Sequence, residues 1–233
     1  MRRRHARAVT LVEVLIAVAL VAIVSAGAMM GMGAIQGARL KRSASMIAGA
    51  VRIAYAHANA KSKPVRLVFD FEERMLILEE GTGVMSLKKN DASGGAAAAT
   101  EAERLAQEEA DSILKGPRAP RPSFQPTKAF GWNTESERPG KVLEKGVRFL
   151  QVETAHQEEA TLAGRAYLYV WPGGQTERAA VQLVLGDAEK ADQNSVLTVL
   201  IAPLTGKAEI KKGPAEMPRP RNDEEASERD EAF

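Results

Sequence analysis

The sequence predicts an α+β protein: a long N-terminal helix, membrane-spanning in its first half and amphipathic in its second, packed on antiparallel β-sheet. Three observations carry that expectation. Val14 to Ile35 holds no charged residue, whereas beyond Arg39 charges recur every few positions. Leu40, Ala44, Ile47, Val51, Tyr55 and Ala58 then repeat at three- or four-residue spacing, which is one stripe of an amphipathic helix. Further on, short runs of strand-forming residues alternate with turn residues.

The first segment has three readings: a buried core helix, a secretory signal, or a membrane helix. Val14 to Ile35 is 22 residues, which as a helix extends roughly 33 Å, about the thickness of a bilayer's hydrocarbon core. A secretory signal has an apolar stretch of only about 7–15 residues before a small-residue cut site. Ser25-Ala26-Gly27-Ala28 could mimic such a site, but the apolar run continues past it to Ile35. Arg2, Arg3, Arg4 and Arg7 precede the run, so the N-terminus is expected in the cytoplasm and everything after about Gln36 on the far side of the membrane. Those four arginines also account for the formal charge of +2, because without them 28 basic residues face 30 acidic ones. The bulk of the chain is therefore not a polyanion binder by charge. Cysteine is absent, which removes disulfides and thiolate chemistry and suits an oxidising or a reducing compartment equally.

Glu13 is the anomaly. A carboxylate near the middle of a membrane helix costs about 2.5–3.5 kcal/mol, less near the interface. It either sits solvated at headgroup level or meets a cation. No Lys, Arg or His occurs between Val9 and Gln36, so a cationic partner has to come from another chain or from a free amine. Arg7 to Glu13, followed by an unbroken apolar helix, resembles the class III signal of type IV pilins and type II secretion pseudopilins. The resemblance implies that a prepilin peptidase removes residues 1–8 by cutting between Ala8 and Val9, and that the new Val9 amine is methylated. The family usually has glycine before the cut and phenylalanine after it; Ala8 and Val9 stand there in this chain. It also implies that Glu13 pairs with the N-terminal amine of a neighbouring subunit during filament assembly. Two unit charges about 4 Å apart at an effective dielectric near 20 attract by roughly 4 kcal/mol, which offsets burial of the carboxylate. A misaligned subunit would leave a charge unpaired. Gly27, Gly31, Gly33 and Gly37 allow close helix packing of the small-xxx-small type or local unwinding of the helix, and the two readings coexist.

The amphipathic part of the helix, residues 37–63, is expected to end before Pro64. His57 falls off the apolar stripe and reads as a surface histidine late in the helix. Residues 64–82 read as a β-hairpin, Pro64 to Phe71 and Met75 to Glu80, with apolar and polar residues alternating. Residues 83–140 change character. Gly94, Gly95 and Ala96 to Ala99 are low-complexity, Thr100 with Glu103 suggests a capping box for a helix from Glu101 to Lys115, and Pro117, Pro120, Pro122 and Pro126 favour extended chain. This stretch is expected to be an insertion, largely mobile. Residues 141–212 should form antiparallel β structure, with strands near Val147–Val152, Ala166–Trp171, Ala180–Leu185, Val196–Ala202 and Ala208–Lys211. Trp171-Pro172-Gly173-Gly174 suits a type II turn and Leu204-Thr205-Gly206-Lys207 another. Residues 213–233, with seven acidic residues against three basic, read as a disordered tail.

The order of helix, PVRLVFDFEERMLILEE, KGVRFLQV, AYLYVWPGGQ and APLTGKAEI is similar to the minor pseudopilin of H type, general secretion pathway protein H. That resemblance covers about residues 8–83 and 141–212. It implies a subunit near the tip of a periplasmic pseudopilus that drives export of folded proteins. The expected partners are other major and minor pseudopilins, prepilin peptidase, the inner-membrane assembly platform and the membrane itself, with no cofactor, metal or nucleic acid. The alternative is a minor pilin of a type IV pilus that primes assembly or binds DNA or a surface, for which Lys207, Lys211 and Lys212 could form a basic strip. An anchored enzyme is not expected, because His5, His57 and His156 lack metal-ligand spacing. Gly81-Thr82-Gly83 and Gly173-Gly174 lack the rest of a phosphate loop. Glu79 with Glu80 and Glu158 with Glu159 read as solvated faces.

Overall fold

The computed structural model describes residues 11–83, 85, 100–113, 122–127, 139–186 and 195–218, without the side chains of 26–36, 106, 107 and 110–113. The chain divides into two compact units, residues 1–39 and 40–233. Helix α1 (Leu11–Lys61) begins in the first and ends in the second.

In the first unit every Leu, Ile and Val from Leu11 to Val24 is 52–79% exposed. The described side chains of this part of α1 stop at Ser25, after about 22 Å of helical rise. Crossing a hydrocarbon core takes about 30 Å. Among the described residues no helix is long and apolar enough to cross a membrane, so the span expected over residues 9–36 is not shown.

Among the described residues the second unit carries ten strands in two antiparallel sheets. Sheet A contains β1 (Val65–Asp70), β2 (Met75–Gly81), β3 (Phe124–Pro126), β4 (Gly140–Val142), β6 (Arg165–Trp171) and β7 (Gln175–Thr176). Its order is β3-β2-β1-β6-β7, and β4 pairs the start of β2 while β3 pairs its end. Sheet B is β10 (Ala208–Lys212), β9 (Val196–Ile201), β8 (Ala179–Leu185) and β5 (Val147–Thr154) in spatial order. The expected strands are all present, but as two sheets. Leu40, Ile47 and Val51 of α1 join Leu67, Phe69 and Leu168 of sheet A and Val181, Leu183 and Val199 of sheet B in one core. Each such side chain contributes roughly 1.5–3 kcal/mol by leaving water. Phe69 and Phe149 meet edge-on at 5.7 Å, linking the two sheets. The helix ends as expected just before Pro64, at Lys61, with Ser62 in the left-handed region at φ 53°.

Two departures from expectation concern the segments read as mobile. Within 83–140 the helix expected from Glu101 is present as α2 (Glu101–Ile113), and the departures are β3 and the first residue of β4. The Thr100 hydroxyl accepts the Glu103 N–H at 3.3 Å, as an N-cap should. β3 is held by main-chain pairing to Glu79, Glu80 and Gly81, and its proline stands on an edge strand where no ladder donor is needed. The low-complexity run and Pro117 and Pro120 lie outside the described residues. The second departure is the tail. Its first residues, 213–218, form an extended strap across the outer face of sheet B. Residues 219–233 lie outside the described ones.

Tyr55 of α1 sits between two turns. A Cβ added at Gly174 would lie 2.6 Å from its hydroxyl, and one at Gly206 would lie 3.2 Å from Cδ2 on the same edge of its ring. Gly173 at φ 90° and the Gly174 N–H donating to Trp171 O at 3.3 Å fit the expected type II turn.

Candidate functional site

Glu13 occupies the first turn of α1, where the orphan N–H groups favour a carboxylate. It is exposed and shares a shallow groove with Val14, Ala17, Val18 and Val21, so it is the acidic mark on an otherwise apolar strip. Ala8 and Val9, the residues expected at the cleavage and methylation site, lie outside the described residues, as does His5. Gly27, Gly31 and Gly33 are helical, and Gly37 has open space around its Cβ position.

The second unit holds charged groups that sequence reasoning placed in solvent. His57 is only 6% exposed, and its Nε2 lies 2.6 Å from a Glu80 carboxylate oxygen. Lys63 donates to the other Glu80 oxygen. The Lys63 and then the His57 hydrogen bonds hold the Glu80 carboxyl below its usual pKa. The late-helix position was right for His57, but β2 returns beside the helix and buries it. Glu79 points the opposite way, as strand neighbours must, yet that face is covered too. Its carboxylate accepts from Arg66 Nε at 2.6 Å, and Arg66 is 1% exposed. The Arg66 guanidinium lies 4.5 Å from the Phe124 ring centre and 4.4 Å from that of Tyr167. Burial works against this cation, but the attraction and hydrogen bond of Glu79, with Tyr169 and Tyr167, raise its pKa. Tyr167 donates to Glu103 of α2, and burial pushes both Tyr167 and Tyr169 up. Arg165 donates to Asp70 at 2.8 Å on the same sheet.

His156 is buried against Glu177, with Nδ1 2.6 Å from Oε1. Glu177 also accepts the backbone N–H of His156 at 2.7 Å and that of Tyr169 at 3.3 Å. These bonds pin the loop after β5 to the turn after β7. Glu158 and Glu159 are exposed, as expected. Lys207, Lys211 and Lys212 are exposed on and beside β10, with the Lys211 amine 3.9 Å from Glu209. Among the described residues no group of three or more His, Asp or Glu side chains is placed to hold a metal ion. The paired charges of this unit bind its elements to one another, and Glu13 belongs to the first unit.

Residues 3–29 match the model of the prokaryotic N-terminal methylation motif. The N-terminal segment is prepilin-like. That match spans Ala8, Val9 and Glu13, and it supports a type IV pilin-like protein that is processed by prepilin peptidase and assembles with other pilins. No curated protein and no solved structure matches the chain significantly.

Proposed function

We propose that this pilin-like chain is a minor pseudopilin of a type II secretion system, of H type, assembled near the tip of a periplasmic pseudopilus. The observation that carries the reading is the methylation motif over residues 3–29, which embraces the apolar start of α1 and Glu13. In this reading the peptidase cuts between Ala8 and Val9, the Val9 amine is methylated, and Glu13 of one subunit pairs with the amine of the next. Residues 9–36 span the inner membrane once before assembly, with the N-terminus cytoplasmic and the second unit periplasmic; the four leading arginines favour that orientation. The chain acts by polymerising, not by catalysis. The choice of the H type is supported by the order of α1, hairpin and later strands.

The test is crosslinked co-purification of the full-length protein from its native membrane. Recovery with other pseudopilins is expected, and recovery with type IV pilus subunits would move the chain to the pilus. Mass measurement of the assembled protein should find a methylated N-terminus at Val9; a start at Met1 contradicts the processing.

A further inference from the structure

Sheet B ends in an uncovered strand. β10 stands at the edge of the order β10-β9-β8-β5, and among the described residues it pairs only with β9. Glu209 to Lys212 are all exposed, Ile210 among them at 40%. The phase of the ladder says which main-chain groups face outward. The Ala202 N–H donates to Lys207 O at 2.9 Å and the Gly213 N–H to Val196 O at 2.9 Å, so the odd-numbered residues of this stretch bond β9. The N–H and C=O of Ala208, Ile210 and Lys212 therefore point away from the sheet. Side chains alternate with the same period. Ala208 packs against the main core, which puts Ile210 and Lys212 on that face and Glu209 and Lys211 on the other.

We propose that β10 is a docking edge for β10 of a second copy of the chain, paired antiparallel about a two-fold axis at Ile210. What points to a second copy is the self-complementarity of the strand. With Ile210 opposite Ile210 of the second copy, Ala208 falls opposite its Lys212. These are the residues whose main-chain groups face outward, so each pair exchanges both hydrogen bonds. Glu209 then falls opposite Lys211 of the second copy, and Lys211 opposite its Glu209. Those positions are the non-hydrogen-bonded pairs, where Cα atoms are about 4.5 Å apart and side chains approach most closely. Both ion pairs form on one face, while the two Ile210 side chains meet on the other. Within one chain the Lys211 amine is 3.9 Å from Glu209 and both are exposed, so pairing replaces little. Lysines ordinarily guard an edge against stray strands. Here a strand that sets a glutamate opposite Lys211 is admitted, and one that sets a lysine there is refused. An edge of five residues is smaller than a permanent interface, so the association is reversible. It stands independently of which filament the chain joins.

The chain has no cysteine, which permits a clean crosslinking test on full-length protein in detergent. Facing residues of a hydrogen-bonded pair stand about 5.5 Å apart at Cα, within disulfide reach. Ile210→Cys should therefore form disulfide dimers roughly tenfold faster than Leu204→Cys, a more exposed position in the turn before β10. Charge exchange supplies the second measurement. In the Ile210→Cys background, Glu209→Lys alone and Lys211→Glu alone each set like charges opposite one another and should slow crosslinking roughly tenfold. Mixing the two variants sets opposite charges together again, so the rate should recover as disulfides between the two different chains, read by mass. Equal rates at positions 210 and 204, or a mixture no faster than its separate components, overturns the proposal. Association through the first helices alone would produce that second result, because it is indifferent to the charges on β10.

Discussion

Replacing Gly174 by alanine should loosen the grip of the two turns on α1. Gly174 lies at φ 86°, where a side chain costs about 1–2 kcal/mol. Its new Cβ would lie 2.6 Å from the Tyr55 hydroxyl and 3.1 and 3.2 Å from two ring carbons. Gly206 approaches the same edge of the ring, where a Cβ would lie 3.2 Å from Cδ2, so both turns pack against that edge. Relief of that overlap costs about 1–3 kcal/mol, so Gly174→Ala should destabilise by roughly 3 kcal/mol, or about 6–12 °C in Tm for a unit of this size. Tyr55→Phe removes the nearest clash and leaves the backbone strain. In that background the same substitution should cost less by about 1 kcal/mol, measured as coupling in a double-mutant cycle by urea unfolding. An identical cost in both backgrounds would refute the wedge. A cost within about 0.5 kcal/mol of zero would refute the strain as well.

Other outcomes follow from the paired charges and the first helix. Glu79→Gln should cost about 3–5 kcal/mol by leaving the Arg66 cation buried, while Arg66→Leu with Glu79→Leu recovers most of it in denaturant titration. Glu80 has a lowered folded pKa, so its stabilisation is present above the ordinary carboxylate range and is lost as pH falls through the folded value. Glu80→Gln should therefore be less stable than wild type by about 1 kcal/mol at neutral pH, with the gap closing below about pH 4 in thermal melts. Gly140→Ala puts a Cβ 2.5 Å from Leu76 O, and hydrogen exchange should show β4 freed from β2 at a cost of about 1–3 kcal/mol. Glu13→Ala should abolish incorporation into filaments and leave the melting of the second unit unchanged. Unimpaired incorporation in a native-membrane crosslinking assay would remove Glu13 from assembly.

Periodicity made much of the fold legible. The stripe Leu40, Ala44, Ile47, Val51 and Ala58 is the buried side of α1, and the later strands fall within a residue or two of their expected bounds. What periodicity does not reveal is whether a strand's second face is covered. β1 places Arg66 and Asp70 on the face opposite Val65, Leu67 and Phe69, yet all six of its residues are buried. Phe124, Tyr167 and Glu79 arrive from elsewhere in the chain to enclose Arg66. His57 is buried for the same reason: Glu80, 23 residues away in sequence, comes to meet it. The strap was masked by its acidic continuation: composition suggested disorder, but its first residues are held through backbone groups that composition does not encode. Glu13 could be found in the sequence alone, because one carboxylate in a long uncharged run is visible without any fold.

The first turns of α1 present leucine, isoleucine and valine on all sides. A cylinder with such a surface has no preferred azimuth: turning it about its axis, or sliding it by one turn, exchanges one hydrocarbon contact for another of similar energy. Packing can hold such a rod tightly and still not say where it stops. In the filament proposed above, pairing through Glu13 would break that degeneracy in both coordinates at once, fixing a height and a bearing with a single carboxylate.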